Sequence, residues 1–290
     1  MLVGVANDIH LDHVKDSVNG SKIKRVARDM SKGLDALILC GDLSVGHLLE
    51  AHMKAFQEGS SCPVYFVLGN HDFWCLDEES VWATAKSLPG ALDFAGVVEL
   101  SKDTCLVGVT GWYDTRAGSL IENTILMPEL SLASMYEGLA PDKLCINPWE
   151  RTPSQRKYSY SLSFEKKLRA AAVSRAFADT QTISFYKRLS EASSKDYKTI
   201  VIATHFPPWE SVSLSPNGPE SSKEWLPWSC NINLGYTIES VAEENLKKQF
   251  IVLSGHTHNQ NTAQIASNLK AISGKAKYKM PKLAHTLGLK

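Results

Sequence analysis

Residues 64–72 read VYFVLGNHD, an apolar run that gives way at once to Gly69-Asn70-His71-Asp72. The run is typical of a buried strand, and a glycine directly behind it permits a tight turn that aims the next side chains. Four other polar clusters follow apolar runs in the same way. They are Asp8-Ile9-His10, Gly41-Asp42, Thr204-His205 and Gly255-His256-Thr257-His258.

The apolar runs alternate with stretches of helical spacing, which predicts an α/β fold with a layered sheet. The predicted strands are Leu2–Ala6, Ala36–Cys40, Val64–Leu68, Leu106–Thr110, Thr199–Ala203 and Phe250–Leu253. The predicted helices are Ile23–Leu34, His47–Phe56, Ser80–Leu88 and Ser163–Ala192. Ligands bind outside the carboxyl ends of the strands in such sheets, so we expect the five clusters to converge at one edge.

The clusters supply carboxylates, a carboxamide and several imidazoles, but no cysteine. This mixed oxygen and nitrogen set favours Mn, Fe or Zn over metals that prefer thiolates. Asp8 and His10 would face one ion together if the strand continued through them, and the same spacing recurs in His256 and His258. Asp42, a lone carboxylate after a strand, is the candidate bridge between two ions.

The cluster order D-x-H, GD, GNH[DE], H and GHxH resembles that of the calcineurin-like metallophosphoesterase superfamily, over residues 8–258. The resemblance implies a β-sandwich of two mixed sheets flanked by helices. It also implies two divalent or mixed-valence ions, and hydrolysis of a phosphate ester through direct attack by a metal-bridging hydroxide.

The resemblance also assigns roles to single residues. The implied ligands are Asp8, His10 and His258 for the first ion, Asn70, His205 and His256 for the second, and Asp42 as the bridge. His71 would protonate the leaving oxygen or stabilise the transition state, a role that suits a histidine titrating near neutral pH. Asp72 would orient His71.

We interpret residues 1–290 as a single domain with long insertions at about 113–160 and 206–235 that shape the rim of the site. The first insertion is either a loop or a small helical unit. Five tryptophans lie near strand ends or in the second insertion, where they would either stack on a nucleobase or pack the loops. These are Trp74, Trp112, Trp209, Trp225 and Trp228.

The composition of the chain limits the classes of partner that we expect it to bind. The charges of the 31 basic and 31 acidic residues cancel. The chain therefore has no net positive charge that would attract nucleic acid. The lysines between Lys270 and Lys290 predict a solvated tail rather than a nucleic-acid clamp. Six scattered cysteines and the lack of a roughly 20-residue apolar run favour reduced thiols, a cytoplasmic location and no membrane contact.

The sequence therefore predicts a phosphodiesterase that acts on a nucleotide-like or other small phosphate ester. A nuclease acting on DNA or RNA stays open as an alternative, because a basic groove beside the metals is compatible with zero net charge. A scaffold that has kept the fold and lost turnover is a third interpretation. A protein-phosphatase role is disfavoured, because Gly41-Asp42-Leu43-Ser44-Val45-Gly46 lacks the GDxxDRG form.

Overall fold

The computed structural model describes residues 1–14, 20–120, 127–139, 163–214 and 223–289. Its strands are β1 (Leu2–Ala6), β2 (Ala36–Cys40), β3 (Val64–Val67), β4 (Val98–Ser101), β5 (Thr104–Val109), β6 (Thr199–Thr204), β7 (Gln249–Ser254), β8 (Asn261–Ala266), β9 (Leu269–Ser273) and β10 (His285–Gly288). Its α-helices are α1 (Ser21–Ser31), α2 (Gly46–Gly59), α3 (Glu78–Ser87), α4 (Glu129–Leu132), α5 (Phe164–Ser194) and α6 (Ile232–Glu243).

The strands form two mixed sheets. The four-stranded sheet has the order β10-β1-β2-β3, in which β1, β2 and β3 are parallel and β10 is antiparallel. The six-stranded sheet has the order β4-β5-β6-β7-β9-β8, in which only the two edge strands are antiparallel to their neighbours. The implied sandwich of two mixed sheets is confirmed.

The two faces of each central strand serve different cores. On β2, Ile38 packs with Val201 of β6 in a core between the sheets, while Leu39 faces a core that contains Phe56 of α2. On β6, Ile202 faces the other way and packs with Phe185 of α5. The layers therefore run helix, sheet, sheet, helix, and strands buried on both faces explain the unbroken apolar runs of the sequence.

Several helices and strands of the structure were not predicted from the sequence. α6 begins inside the predicted insertion at 206–235, where the side chain of Asn231 caps it by accepting a hydrogen bond from the Leu234 N–H. The described lysines from Lys270 to Lys282 are exposed, as predicted. The segment is not a tail, however, because β9 is an inner strand of the large sheet and β10 pairs with β1. The four lysines from 275 to 282 lie between these two strands.

The insertion predicted at 113–160 is described at 113–120 and 127–139, where it contains α4, and the rest lies outside the described residues. Residues 215–222 of the second insertion also lie outside them. No helix within the described ranges is long and apolar enough to cross a bilayer. The single-domain interpretation stays a prediction.

Candidate metal centre

The five polar clusters lie at the carboxyl ends of β1, β2, β3, β6 and β7, and thus come from both sheets. Their side chains meet between the sheet edges. Six of the seven predicted ligands are buried, and the side chain of the seventh, His258, is 19% exposed. The buried ones are Asp8, His10, Asp42, Asn70, His205 and His256.

One group of donors contains Asp8, His10, Asp42 and His258, whose ligand atoms all lie within 4.8 Å of one another. The Nε2 atoms of His10 and His258 are 3.3 Å apart, and Nε2 of His258 is 3.4 Å from Oδ1 of Asp8. Such spacing between donor atoms of different residues suits a shared cation.

A second group lies on the other side of Asp42. Oδ1 of Asn70 is 2.9 Å from Nε2 of His205 and 3.1 Å from Nδ1 of His256. Asp42 faces both groups, since its Oδ1 is 3.4 Å from Nε2 of His205 and its Oδ2 is 3.8 Å from Nε2 of His10. The carboxylate of Asp42 is therefore placed between two clusters of donors.

The backbone that presents these ligands is not extended. β1 ends at Ala6, so a continuing strand does not aim Asp8 and His10, although the two residues lie in one donor group as predicted. Eight non-glycine residues in the described ranges have positive φ, and five of them are predicted ligands. The five are Asp8, His10, Asp42, His256 and His258. Strained backbone of this kind concentrates at functional sites, where the surrounding structure enforces it.

The electrostatics of the site favour cations. Within the described residues no lysine or arginine forms an ion pair with Asp8 or Asp42, although both are only 2% exposed. Burial, together with the charges of Asp8 and Asp72, raises the pKa of Asp42 well above its usual range. Burial also lowers the pKa of His10, to about 3, and that of His205. Neutral His10 and His205, beside carboxylates that no lysine or arginine pairs with, fit bound metal ions. Against the effect of its burial, Asp8 raises the pKa of His258.

His71 lies beside the two groups rather than in either. Its backbone N–H donates to Oδ1 of Asp42 at 2.9 Å, and its Nε2 is 3.7 Å from Oδ2 of the same residue. The ring stacks on Trp74 with centroids 3.5 Å apart. Among the described residues no group bonds the buried Nδ1 of His71. Burial, reinforced by the neighbouring histidines, lowers the pKa of the ring.

Asp72 makes contacts that the sequence did not indicate. Its carboxylate accepts hydrogen bonds from the backbone N–H groups of Leu43, Ser44 and Gly69, at 2.8–3.2 Å. No hydrogen bond joins this carboxylate to the ring of His71 within the described part of the chain. We infer that Asp72 positions the loops that carry Asp42 and Asn70. Burial raises its pKa to about 7.

Two further residues support the site. Nδ2 of Asn7 donates to Oδ2 of Asp8 at 2.6 Å and to the Gly274 carbonyl at 3.2 Å. The ring of Tyr278 lies 4.4 Å from that of His10 and 4.8 Å from that of His258. Asn7 was detectable as a polar residue directly after β1, whereas no sequence signal pointed to Tyr278.

The family model described as calcineurin-like phosphoesterase matches residues 1–260. The chain belongs to the calcineurin-like phosphoesterase family. It is thus a metal-dependent phosphoric ester hydrolase, and its family depends on a dinuclear metal centre. A comparison with curated proteins gave no match.

Two solved structures have a similar fold. Phosphopantetheinyl hydrolase (PptH) from Mycobacterium tuberculosis is 14% identical with a TM-score of 0.58, and the match covers 95% of this chain and 89% of that one. A dimetal phosphatase from Danio rerio is 14% identical with a TM-score of 0.54, covering 99% and 91%. At such low identity the likeness concerns the fold alone.

Metal binding should stabilise the protein through Asp42. A ligand at a hundredfold excess over its Kd stabilises by about 2.7 kcal/mol per site, so adding Mn, Fe or Zn to chelator-treated protein should raise Tm by several degrees. Asp42→Asn should abolish this rise. Without metal the same variant should be at least as stable as wild type, because a neutral amide replaces a buried carboxyl that is costly whether it is charged or must be protonated. Differential scanning calorimetry measures both effects.

Asp12→Asn is the matched control, since Asp12 is a nearby carboxylate that pairs with His13 instead. Its metal-induced rise in Tm should equal that of wild type. An undiminished rise in Asp42→Asn would contradict the placement of the metals around Asp42.

Proposed function

We propose that this chain is a dinuclear phosphodiesterase that hydrolyses a small, nucleotide-like phosphate ester. The observation that carries the proposal is the position of Asp42, whose two oxygens face separate groups of nitrogen and oxygen donors. A carboxylate in that position suits a bridge between two ions, the arrangement that favours in-line displacement at phosphorus.

The ligands divide between the two ions as follows. Asp8, His10 and His258 would hold one ion, Asn70, His205 and His256 the other, and Asp42 both. Bound ions would supply a water activated near neutral pH and would neutralise charge on the phosphate. No covalent phosphoenzyme is expected, because the buried carboxylates are committed to the donor groups.

His71 is the proposed catalytic residue of the chain itself. Its ring borders the donor groups without belonging to either, and its stack on Trp74 fixes the ring plane. Burial and the neighbouring histidines lower the pKa of His71, and a phosphate anion brought to the site would oppose that effect and favour the protonated imidazole. It can then protonate the departing alkoxide.

Aromatic and basic groups at the rim support a nucleotide-like substrate. The half-buried ring of Trp225 lies parallel to that of His256, with an interplanar angle of 9° and centroids 5.9 Å apart. Exposed Lys277 and Lys279 flank Tyr278, which contacts the histidines of the site. Aromatic faces stack on bases, and lysines attract phosphates, so both features suit a nucleotide.

Hydrolysis of bis(p-nitrophenyl) phosphate tests the enzyme against the scaffold alternative. Asp42→Ala and His205→Ala should each remove activity below detection, since each breaks the two-ion arrangement while leaving the hydrophobic cores untouched. His285→Ala, on β10, serves as a control and should keep wild-type activity. Metal-loaded wild type that shows no turnover on any ester of a broad panel would favour the scaffold.

His71→Ala should slow hydrolysis in a way that depends on the leaving group. General acid catalysis contributes about 10²–10⁴-fold, so kcat should fall that much for esters of aliphatic alcohols. It should fall less for p-nitrophenyl esters, whose leaving group needs no proton. An equal fall for both ester types, at unchanged metal content, would show that His71 does not protonate the leaving oxygen.

Trp225→Ala should raise KM for cyclic nucleotides and leave KM for dimethyl phosphate unchanged. Stacking contributes about 1–3 kcal/mol per base, which corresponds to a KM increase of about 5- to 150-fold. Trp225→Phe retains an aromatic face and should restore most of the affinity. Equal losses on both substrates would contradict base stacking, and faster cleavage of a single-stranded oligonucleotide than of cyclic nucleotides would favour the nuclease.

A further inference from the structure

The segment between β9 and β10, residues 274–284, borders the metal centre. It lies outside residues 1–260, which the family model matches. The backbone N–H of Gly274 joins one end of the segment to β7, and that of Ala284 joins the other end to β1. Between these two anchors the segment carries Tyr278, a half-buried residue whose ring contacts the site.

The ring of Tyr278 packs on both imidazoles of the first donor group. Its centroid lies 4.4 Å from that of His10, at an interplanar angle of 33°, and 4.8 Å from that of His258, at 46°. The Nε2 atoms of these two histidines are only 3.3 Å apart. One aromatic ring therefore bears on both side chains that would hold the first ion together with Asp8.

The imidazoles of the second donor group are oriented in a different way. Nδ1 of His205 donates to the Cys40 carbonyl at 2.9 Å, and Nε2 of His256 donates to the Trp228 carbonyl at 3.2 Å. Histidines that bind metals usually make such a bond with the nitrogen that does not face the ion, and the bond fixes both the ring and its tautomer. The second group thus has the usual support.

His10 lacks this support among the described residues. Its side chain is fully buried, yet its Nδ1 has no hydrogen-bond partner in that part of the chain. The orientation of the ring therefore depends on packing. His71 approaches it at a steep angle of 68°, whereas Tyr278 lies closer to parallel and covers its face. Tyr278 thus does for His10 what a backbone carbonyl does for each histidine of the second group.

Two hydrogen bonds connect the segment to ligands of the same first group. Nδ2 of Asn7 donates both to Oδ2 of Asp8, at 2.6 Å, and to the Gly274 carbonyl, at 3.2 Å. The backbone N–H of Ala276 donates to the His258 carbonyl at 3.2 Å. The segment is therefore fixed relative to the ligands at two points before Tyr278.

Tyr278 itself lies in a tight turn. The Met280 N–H donates to the Lys277 carbonyl at 3.1 Å, and Lys279 has a φ of 65°. A residue other than glycine rarely adopts such a φ, and where it does the surrounding structure enforces the conformation. The turn therefore presents the ring of Tyr278 in one defined position.

We propose that Tyr278 is a positioning residue for the first ion, because its ring holds the imidazoles of His10 and His258 in the orientation that binds metal. The inference rests on the division of the ligands proposed above. The second ion does not depend on Tyr278, since backbone carbonyls orient its histidines. Loss of the ring therefore leaves a chain that holds the second ion alone.

Titration calorimetry with Mn²⁺ on the chelator-treated chain tests this proposal. Tyr278→Leu should bind the second ion as wild type does and the first about 10- to 100-fold more weakly, the usual effect of removing a group that supports a ligand. Tyr278→Phe keeps the ring and should bind both ions normally. Electron paramagnetic resonance should detect an isolated Mn²⁺ in Tyr278→Leu under conditions in which wild type holds a coupled pair.

Double substitutions identify the ion that is affected. In His205→Ala, which disrupts the second group, adding Tyr278→Leu should weaken the remaining ion by the same about 10- to 100-fold. In His10→Ala, which disrupts the first group, the same addition should have no further effect. Equal effects in the two backgrounds would contradict the assignment to the first ion.

Tyr236→Leu is the matched control, because Tyr236 is 66% exposed on α6, and it should bind both ions as wild type does. Unchanged affinity in Tyr278→Leu, equal weakening of both ions, or the same loss in Tyr278→Phe overturns the proposal. Melting of the metal-free variants checks that they are folded, and Tyr278→Met repeats the test if the leucine variant is not. A wild-type chain that binds a single ion would contradict the proposed function as well.

Discussion

The burial of two carboxylates without a lysine or arginine partner among the described residues is the constraint on which the site depends. Asp8 and Asp42 are nearly inaccessible to water, and within the described residues only histidines approach them as possible cations. A buried charge is costly unless it is paired or binds a metal. The fold therefore keeps at its centre a charge imbalance that cations relieve.

The backbone conformation of the ligands also costs free energy of folding. Five predicted ligands adopt left-handed conformations that L-residues normally avoid, at about 1–2 kcal/mol each. Asp72 helps to hold this geometry, because its carboxylate joins the N–H groups of the loops after β2 and β3. Side chains and backbone together hold the donors in place, and such support is what a precise metal site requires.

The sequence predicted the central strands and the five clusters because strands buried on both faces read as unbroken apolar runs. The analysis missed edge strands such as β4, β8 and β10, because their residues are only partly buried or exposed and do not form apolar runs. The apolar runs also do not reveal where the chain passes from one sheet to the other. Positive φ at non-glycine ligands and the contacts of Asp72 and Tyr278 arise from tertiary structure, so local patterns did not indicate them.

The distance along the chain between the ligands has a consequence for biosynthesis. The backbone N–H of His256 donates to the carboxylate of Asp8, 248 residues earlier. Contacts of such long range form late, because the entropy of closing the intervening chain is lost first. The ribosome must therefore have added His256 and His258 before the ligand set that begins with Asp8 can be complete.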